Sequence, residues 1–169
     1  MVEWNQILLD EKYSLEQPDE LIIDFVNLLR KGRENRVIDL GCGAGRNVVY
    51  MAEHGFETHG LDISDTGLER TKERLRKRKL EAHLVKCDMK SLPYIDSCFD
   101  VVISLNTVYH QKLKGIQETI KEIHRVLKQK GLVLTNFHSK RSSKYGKGAK
   151  VEENTFAQPS GPEKGVLHH

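Results

Sequence analysis

Arg36-Val37-Ile38-Asp39-Leu40-Gly41-Cys42-Gly43-Ala44-Gly45-Arg46-Asn47 decides how this chain is read. A short apolar run ends in three closely spaced glycines, and an amphipathic pattern follows. The pattern predicts a buried parallel strand, a tight turn and a helix N-terminus. Glycines allow positive φ and let a ligand come close to the main chain. A helix start adds unpaired N–H groups and the positive end of a dipole. Together these suit a small charged ligand. The spacing narrows the class. Gly41, Gly43 and Gly45 form G-x-G-x-G, whereas the dinucleotide fingerprint G-x-G-x-x-G needs glycine at position 46, which is Arg46. Asp39 stands just before the first glycine. A carboxylate there repels a pyrophosphate; it attracts an ammonium group or accepts hydrogen bonds from loop amides.

Working outward toward the C-terminus, residues 57–62 read as a second strand that ends in Asp62-Ile63-Ser64. Asp62 lies 21 residues after Gly41 (62 − 41). An acid near that distance, at the end of the second strand, accepts both hydroxyls of a ribose. A carboxylate suits the task because it has two acceptor oxygens and no donor. NAD enzymes and methyltransferases share this feature, so it indicates a nucleoside without saying which. The alternative is that Asp62 merely precedes the cap of the next helix. Ser64 is a good N-cap for a helix running to about residue 79, with Leu68 and Leu75 on its inner face. A third strand over 81–87 ends in Cys87-Asp88-Met89. A fourth over 99–105 is apolar enough to be buried on both faces. A helix over 113–128 has Ile116, Ile120, Ile123 and Leu127 as its inner stripe. Gln129-Lys130-Gly131 then turns into a fifth strand over 132–137.

Toward the N-terminus, residues 4–13 form a short amphipathic piece. A helix follows, with Pro18 at its start, Asp19 and Glu20 in its first turn, Arg30 and Lys31 in its last and Gly32 beyond. Leu21, Phe25, Leu28 and Leu29 make its apolar face. The alternation of strands and helices predicts an α/β chain. Its architecture is a Rossmann-like, doubly wound, mostly parallel sheet flanked by helices, with a ligand at the carboxyl ends of the strands.

Asp39-Leu40-Gly41-Cys42-Gly43-Ala44-Gly45 resembles the first motif of the class I S-adenosylmethionine-dependent methyltransferases. With Arg46-Asn47 after it, the motif is similar to the small-molecule branch that includes the tellurite-resistance methyltransferases. The resemblance covers roughly residues 36–137. It implies S-adenosylmethionine as cofactor, held by Asp39, Gly41, Cys42 and Gly43 of the loop, by Asp62 and Ile63 at the second strand end, and by Asp88 and Met89 at the third. In the family, an acid at the position of Asp88 bonds the adenine amino group, and the next residue offers its backbone amide to the ring. Ser104 and Leu105 match positions whose carbonyls hold the methionine amino group, and Arg46 is a candidate for the methionine carboxylate or a surface residue of the helix start. Asn106-Thr107-Val108-Tyr109-His110 then sits over the methyl donor. Tyr109 and His110 are the catalytic candidates, His110 either as a base or as a residue that caps or packs the next helix. Trp4 and Tyr13 are candidates for a lid, or for packing against the sheet.

The remaining composition sets bounds. The chain has 169 residues, 38% hydrophobic and 30% charged, which suits one ordinary domain. It divides into an N-terminal helical cap (1–32), a cofactor-binding core (36–137) and a mobile or incomplete C-terminal segment (138–169). No apolar run is long enough to span a membrane, and the first residues do not read as a signal peptide. Cys42, Cys87 and Cys98 have neither metal-ligand nor redox spacing, so no metal is expected and a cytoplasmic location is. A net charge of +3 is too mild to imply nucleic acid. The basic clusters at 70–79 and at Lys140, Arg141, Lys144, Lys147 and Lys150 read as a solvated helix face and a mobile loop, and less well as an RNA-facing surface. The family sheet has seven strands, and the chain ends before its last two are written. Residues 154–165 read as loop. The fifth strand is then expected to be a bare apolar edge, prone to self-association. The expected activity is methyl transfer from S-adenosylmethionine to a small-molecule acceptor, by alignment for in-line displacement. The alternatives are a cofactor-binding fragment without turnover and, less well matched, an NAD(P)-dependent oxidoreductase.

Overall fold

The computed structural model describes residues 4–30, 32, 35–143 and 145–169. Lys31, expected at a helix end, and Lys144, expected in a basic loop, lie outside them. Five strands form one parallel sheet: β1 (Arg36–Leu40), β2 (Glu57–Asp62), β3 (His83–Lys86), β4 (Phe99–Ser104) and β5 (Leu127–Thr135). Their order is β3-β2-β1-β4-β5. The order reverses beside β1, so the glycine turn opens where β1 and β4 part, the usual crevice for a ligand.

Strand alternation supplies both faces of the sheet. Val37, Val101 and Ile103 point toward helix α2 (Glu20–Leu29) and the Met51 side of α3 (Arg46–Glu53). Ile38, Leu40 and Val102 point the other way, toward Ile123 and Val126 of α5 (Leu113–Val126). Val48 and Val49 of α3 pack with Leu68 and Leu75 of α4 (Asp65–Arg78). Fully burying one such side chain stabilises by about 1.5–3 kcal/mol, so β1, with Val37, Ile38 and Leu40 sealed, is a rigid base for its loop.

Two expected helix faces are corrected. In α2 the buried residues are Ile22, Val26 and Leu29, while Leu21 and Leu28 are about half exposed. The helix is apolar nearly all round: Leu29 and the partly buried Phe25 of the expected face pack on the core, while Ile22 and Val26 take the places expected of Leu21 and Leu28. In α5 Ile120 is exposed, Thr119 and Val126 are buried, and Leu127 begins β5. Ser64 does cap α4, accepting from the Gly67 N–H at 3.1 Å. The turn at Gln129-Lys130-Gly131 falls within β5. Phe99 pairs with Leu127, the register slips, and pairing resumes between Val101 and Leu132, with Lys130 at φ +66°.

A further correction concerns the C-terminal part. Residues expected as loop contain strand: β6 (Ala149–Glu152), β7 (Thr155–Ala157) and β8 (Leu167–His168) make a separate antiparallel sheet. Among the described residues no strand joins the outer edge of β5. The small sheet leans on the segment after β4: the His169 N–H donates to the Tyr109 carbonyl at 3.0 Å, and Glu152 accepts from the Leu113 N–H. Among the described residues no helix is long and apolar enough to cross a membrane.

Candidate functional site

A cavity of about 590 Å³ lies at the carboxyl ends of β1, β2 and β4, within the size range of small-ligand sites. Its floor is the glycine turn. Gly41 has φ +73°, and a Cβ there would stand 2.0 Å from Cγ2 of Thr107. Gly45, at φ +79°, begins α3 and lies against Thr71 in the same way. Only glycine meets both the left-handed backbone and the close approach.

Asp39 is 3% exposed, and its carboxylate receives no hydrogen bond from the described residues. Burial, with the charge of Asp62 adding to it, pushes its pKa up to about 7, while Arg46 draws it down. A half-ionised buried carboxylate facing a cavity is stabilised by a cation. Asp62 is placed differently. Its Oδ2 accepts from the Gly43 N–H at 2.7 Å and its Oδ1 from the Ser64 N–H at 2.8 Å. Burial raises its pKa, and these amides oppose the rise. Each oxygen keeps a further lone pair for a ligand hydroxyl.

Every cofactor and catalytic candidate read from the sequence lines this cavity except Ser104. Ser104 is fully buried, and its hydroxyl donates to the Leu40 carbonyl at 3.3 Å, tying β4 to β1. The Leu105 carbonyl already accepts the Thr107 hydroxyl at 2.8 Å. Arg46 is ion-paired with Asp19 at 3.0 Å, so the helix start is bound to the cap of α2. Asp88 caps its own turn, accepting from the Lys90 N–H at 3.0 Å. The sulfur of Met89 accepts from Gln111 at 3.5 Å.

Tyr109 is buried and donates to Asn106 Oδ1 at 3.2 Å; burial pushes its pKa to about 12. His110 Nδ1 lies 2.8 Å from the Leu167 carbonyl, which can only accept, so Nδ1 carries the proton and Nε2 the lone pair. Burial pushes the His110 pKa down to about 4, so the ring is neutral at physiological pH. His138 and Glu163 complete this side of the cavity.

Several partners were not singled out by their sequence pattern. Asn106 stands at φ +57°; its N–H donates to Asn136 Oδ1 at 2.7 Å, and Asn136 Nδ2 donates to Asn106 Oδ1 at 2.9 Å. Asparagine tolerates this backbone better than most residues, and an Asn within two residues of the end of each of two neighbouring strands was the available signal. The helix α1 (Trp4–Ile7) and the turn after it cover the opening: Trp4, Ile7, Leu8, Lys12, Tyr13 and Leu15 line it. Trp4 stacks at a tilt on His110, with ring centroids 5.2 Å apart. Both lid candidates are therefore at the cavity. This strap is clamped from α4. Arg70 donates to the Leu9 carbonyl at 2.8 Å, and Arg74 donates to the Ser14 carbonyl and, at 2.7 Å each, to those of Leu15 and Ala44. These two members of the basic cluster thus serve the strap and do not stand on a merely solvated face.

Comparison with known proteins agrees with this geometry. A family model described as a methyltransferase domain matches residues 37–131. The chain is similar to an uncharacterised protein of Methanocaldococcus jannaschii, 37% identical over 120 residues, covering 69% of this chain and 48% of that one. It is similar to the 27-O-demethylrifamycin SV methyltransferase of Amycolatopsis mediterranei, 31% identical over 133 residues, covering 76% of this chain and 48% of that one. Among solved structures it resembles the PH0226 protein of Pyrococcus horikoshii with a TM-score of 0.70 at 24% identity, covering 84% of this chain and 64% of that one; this likeness concerns the fold. The chain spans about half the length of the relatives it matches.

Proposed function

This chain belongs to the methyltransferase domain family, and we propose that it transfers a methyl group from S-adenosylmethionine to a small-molecule acceptor. One observation carries the reading: a buried carboxylate, Asp39, faces the glycine-floored cavity without a donor of its own. An ammonium-bearing ligand supplies what it lacks, and a pyrophosphate does not. The cofactor, when bound, supplies an activated methyl group on a sulfonium sulfur, which leaves with its bonding pair as a thioether.

The chain's own residues hold and exclude. Asp39 meets the ammonium end. Asp62 accepts the ribose hydroxyls with its spare lone pairs, and Asp88 with the Met89 amide takes the adenine edge. Arg46 reaches a ligand carboxylate only by leaving Asp19. The strap with Trp4 and Tyr13 keeps water out. On the acceptor side, Tyr109 and His110 act by position. Neither is a strong base at neutral pH: the phenol stays protonated, and the imidazole binds a proton only near pH 4. Alignment of this kind supplies about 7–11 kcal/mol of a barrier in favourable cases. The rifamycin methyltransferase similarity supports a small-molecule acceptor. The outer edge of β5, with Val133 half exposed on it and Phe137 half exposed just beyond it, supports a second copy of this chain as partner.

Calorimetry with S-adenosylhomocysteine and with NAD tests the reading. Binding of the first and not the second is expected; the reverse would overturn it. Binding without turnover is a second reading, favoured by Tyr109 and His110 offering no strong base at neutral pH. Methyl transfer detected with any acceptor would exclude it.

A further inference from the structure

We propose that Glu57, His59 and His83 form a binding site for a divalent transition-metal ion of the zinc class. The site lies at the opposite end of the sheet from the cavity. Glu57 opens β2 and Asp62 closes it, about 16 Å apart at the rise of a strand. The two sites are therefore independent.

The register builds the triad. His59 and His83 are direct partners on the parallel strands β2 and β3, so their side chains leave the sheet on one face. Glu57, two residues before His59, shares that face. One ligand atom from each of the three lies within 4.8 Å of the others. The imidazoles are stacked, with centroids 4.5 Å apart and planes 28° apart. Two imidazoles and one carboxylate are a common donor set for zinc and for other late divalent metals. Glu57 and His83 are exposed, so they can close on an ion by rotating about side-chain bonds, and a solvent water can take a remaining position.

His59 is the fixed member of the triad: it is 4% exposed and its ring packs edge-on against Tyr94 and Phe99. The Arg36 Nε–H can only donate, and it lies 3.3 Å from His59 Nε2. The same nitrogen is 3.3 Å from Glu57 Oε1, and the other ring nitrogen, Nδ1, is 3.3 Å from the Tyr94 hydroxyl. A ligating histidine held through its other nitrogen is the usual arrangement around a metal. Arg36 Nε is also 2.8 Å from Glu57 Oε1. The acceptors thus already surround a cation, and a metal replaces this guanidinium. Arg36 lies 5.2 Å from the centre of the Phe99 ring and retains that contact when displaced.

The test uses the whole chain, titrated with zinc by calorimetry in a non-chelating buffer. One equivalent is expected to bind, raising the melting temperature by joining the edge strand β3 to β2. His83→Ala should weaken binding about tenfold or more and remove the rise in melting temperature, while circular dichroism shows it folded. Arg36→Gln should strengthen binding, because the competing cation is gone. The double variant His168→Ala/His169→Ala should bind as the parent does. Absence of zinc uptake by the parent would overturn the proposal. So would equal affinity in the His83→Ala variant, or loss of binding in the double variant alone.

Discussion

Asp62 and Gly43 are joined by a 2.7 Å hydrogen bond from the glycine's N–H to the carboxylate. The group expected to hold a ribose therefore also fixes the shape of the loop beneath it. Asp62→Ala removes this bond, the one to Ser64 and the ligand's bonds together. We expect adenosylhomocysteine binding to weaken by about 1.5–3 kcal/mol for each charge-assisted bond lost, that is by tenfold to a hundredfold or more. Calorimetry on the variant measures it, and unchanged affinity would remove Asp62 from the site.

Asp39 sets a pH dependence whose sign can be worked out. Its ordinary pKa is 3.8, and in the folded chain it is about 7. Between these values the folded state holds a proton that the unfolded state has released. This group's contribution to stability therefore falls as pH rises through the window, and is least favourable above 7. An ammonium ligand requires the carboxylate. Adenosylhomocysteine affinity should thus fall as pH drops below 7, approaching about tenfold per pH unit, and Asp39→Asn should flatten that limb. A flat profile in the parent chain would contradict the pairing.

Arg74 gathers three carbonyls of the strap and loop. Arg74→Ala leaves them without their charged donor, at a cost of about 1.5–3 kcal/mol. The loss should be local first. Hydrogen exchange over residues 4–15 should quicken before the sheet is affected, and ligand affinity should drop. Arg76→Ala, at an exposed position of the same helix, serves as the control and should change neither.

Gly41→Ala meets two separable penalties. The left-handed backbone at φ +73° costs about 1–2 kcal/mol. The overlap with Cγ2 of Thr107, at 2.0 Å, adds about 1–3 kcal/mol. Thr107→Ser deletes that methyl and keeps the hydroxyl that donates to Leu105. Combining the two substitutions should recover the second penalty and leave the first, read as a partial return of the melting temperature.

The outer edge of β5 is expected to support self-association. Light scattering on a concentration series should show a second species, and Val133→Lys should suppress it, since a charge on an edge strand opposes pairing. A monomer at every concentration would count against it.

The strand ends were legible because each is marked locally. An apolar run stops, and Gly41, Asp62 or Asp88 follows at the position where a parallel strand delivers its ligand groups. The cap at Ser64 was equally local. What could not be read depended on tertiary partners. The stripe of α2 was misplaced because Leu21, Ile22, Phe25, Val26, Leu28 and Leu29 offer two faces, and only the sheet decides between them. Arg70 and Arg74 look like any solvated charges until the strap lies against them. Ser104 was assigned to the ligand through its backbone carbonyl, and the tie its hydroxyl makes to the Leu40 carbonyl could not be read from its place at a strand end. The strands of the C-terminal sheet are too short, and too crowded by glycine and proline, to show a period.

The strap holds the chain's single tryptophan. Trp4 lines the cavity and lies against His110, so the indole's emission is an intrinsic optical gauge of this one place. Its intensity and wavelength should follow any change in water or ring contacts over the opening. Opening and closing of the strap can then be timed in a stopped-flow instrument without a label, on the native chain.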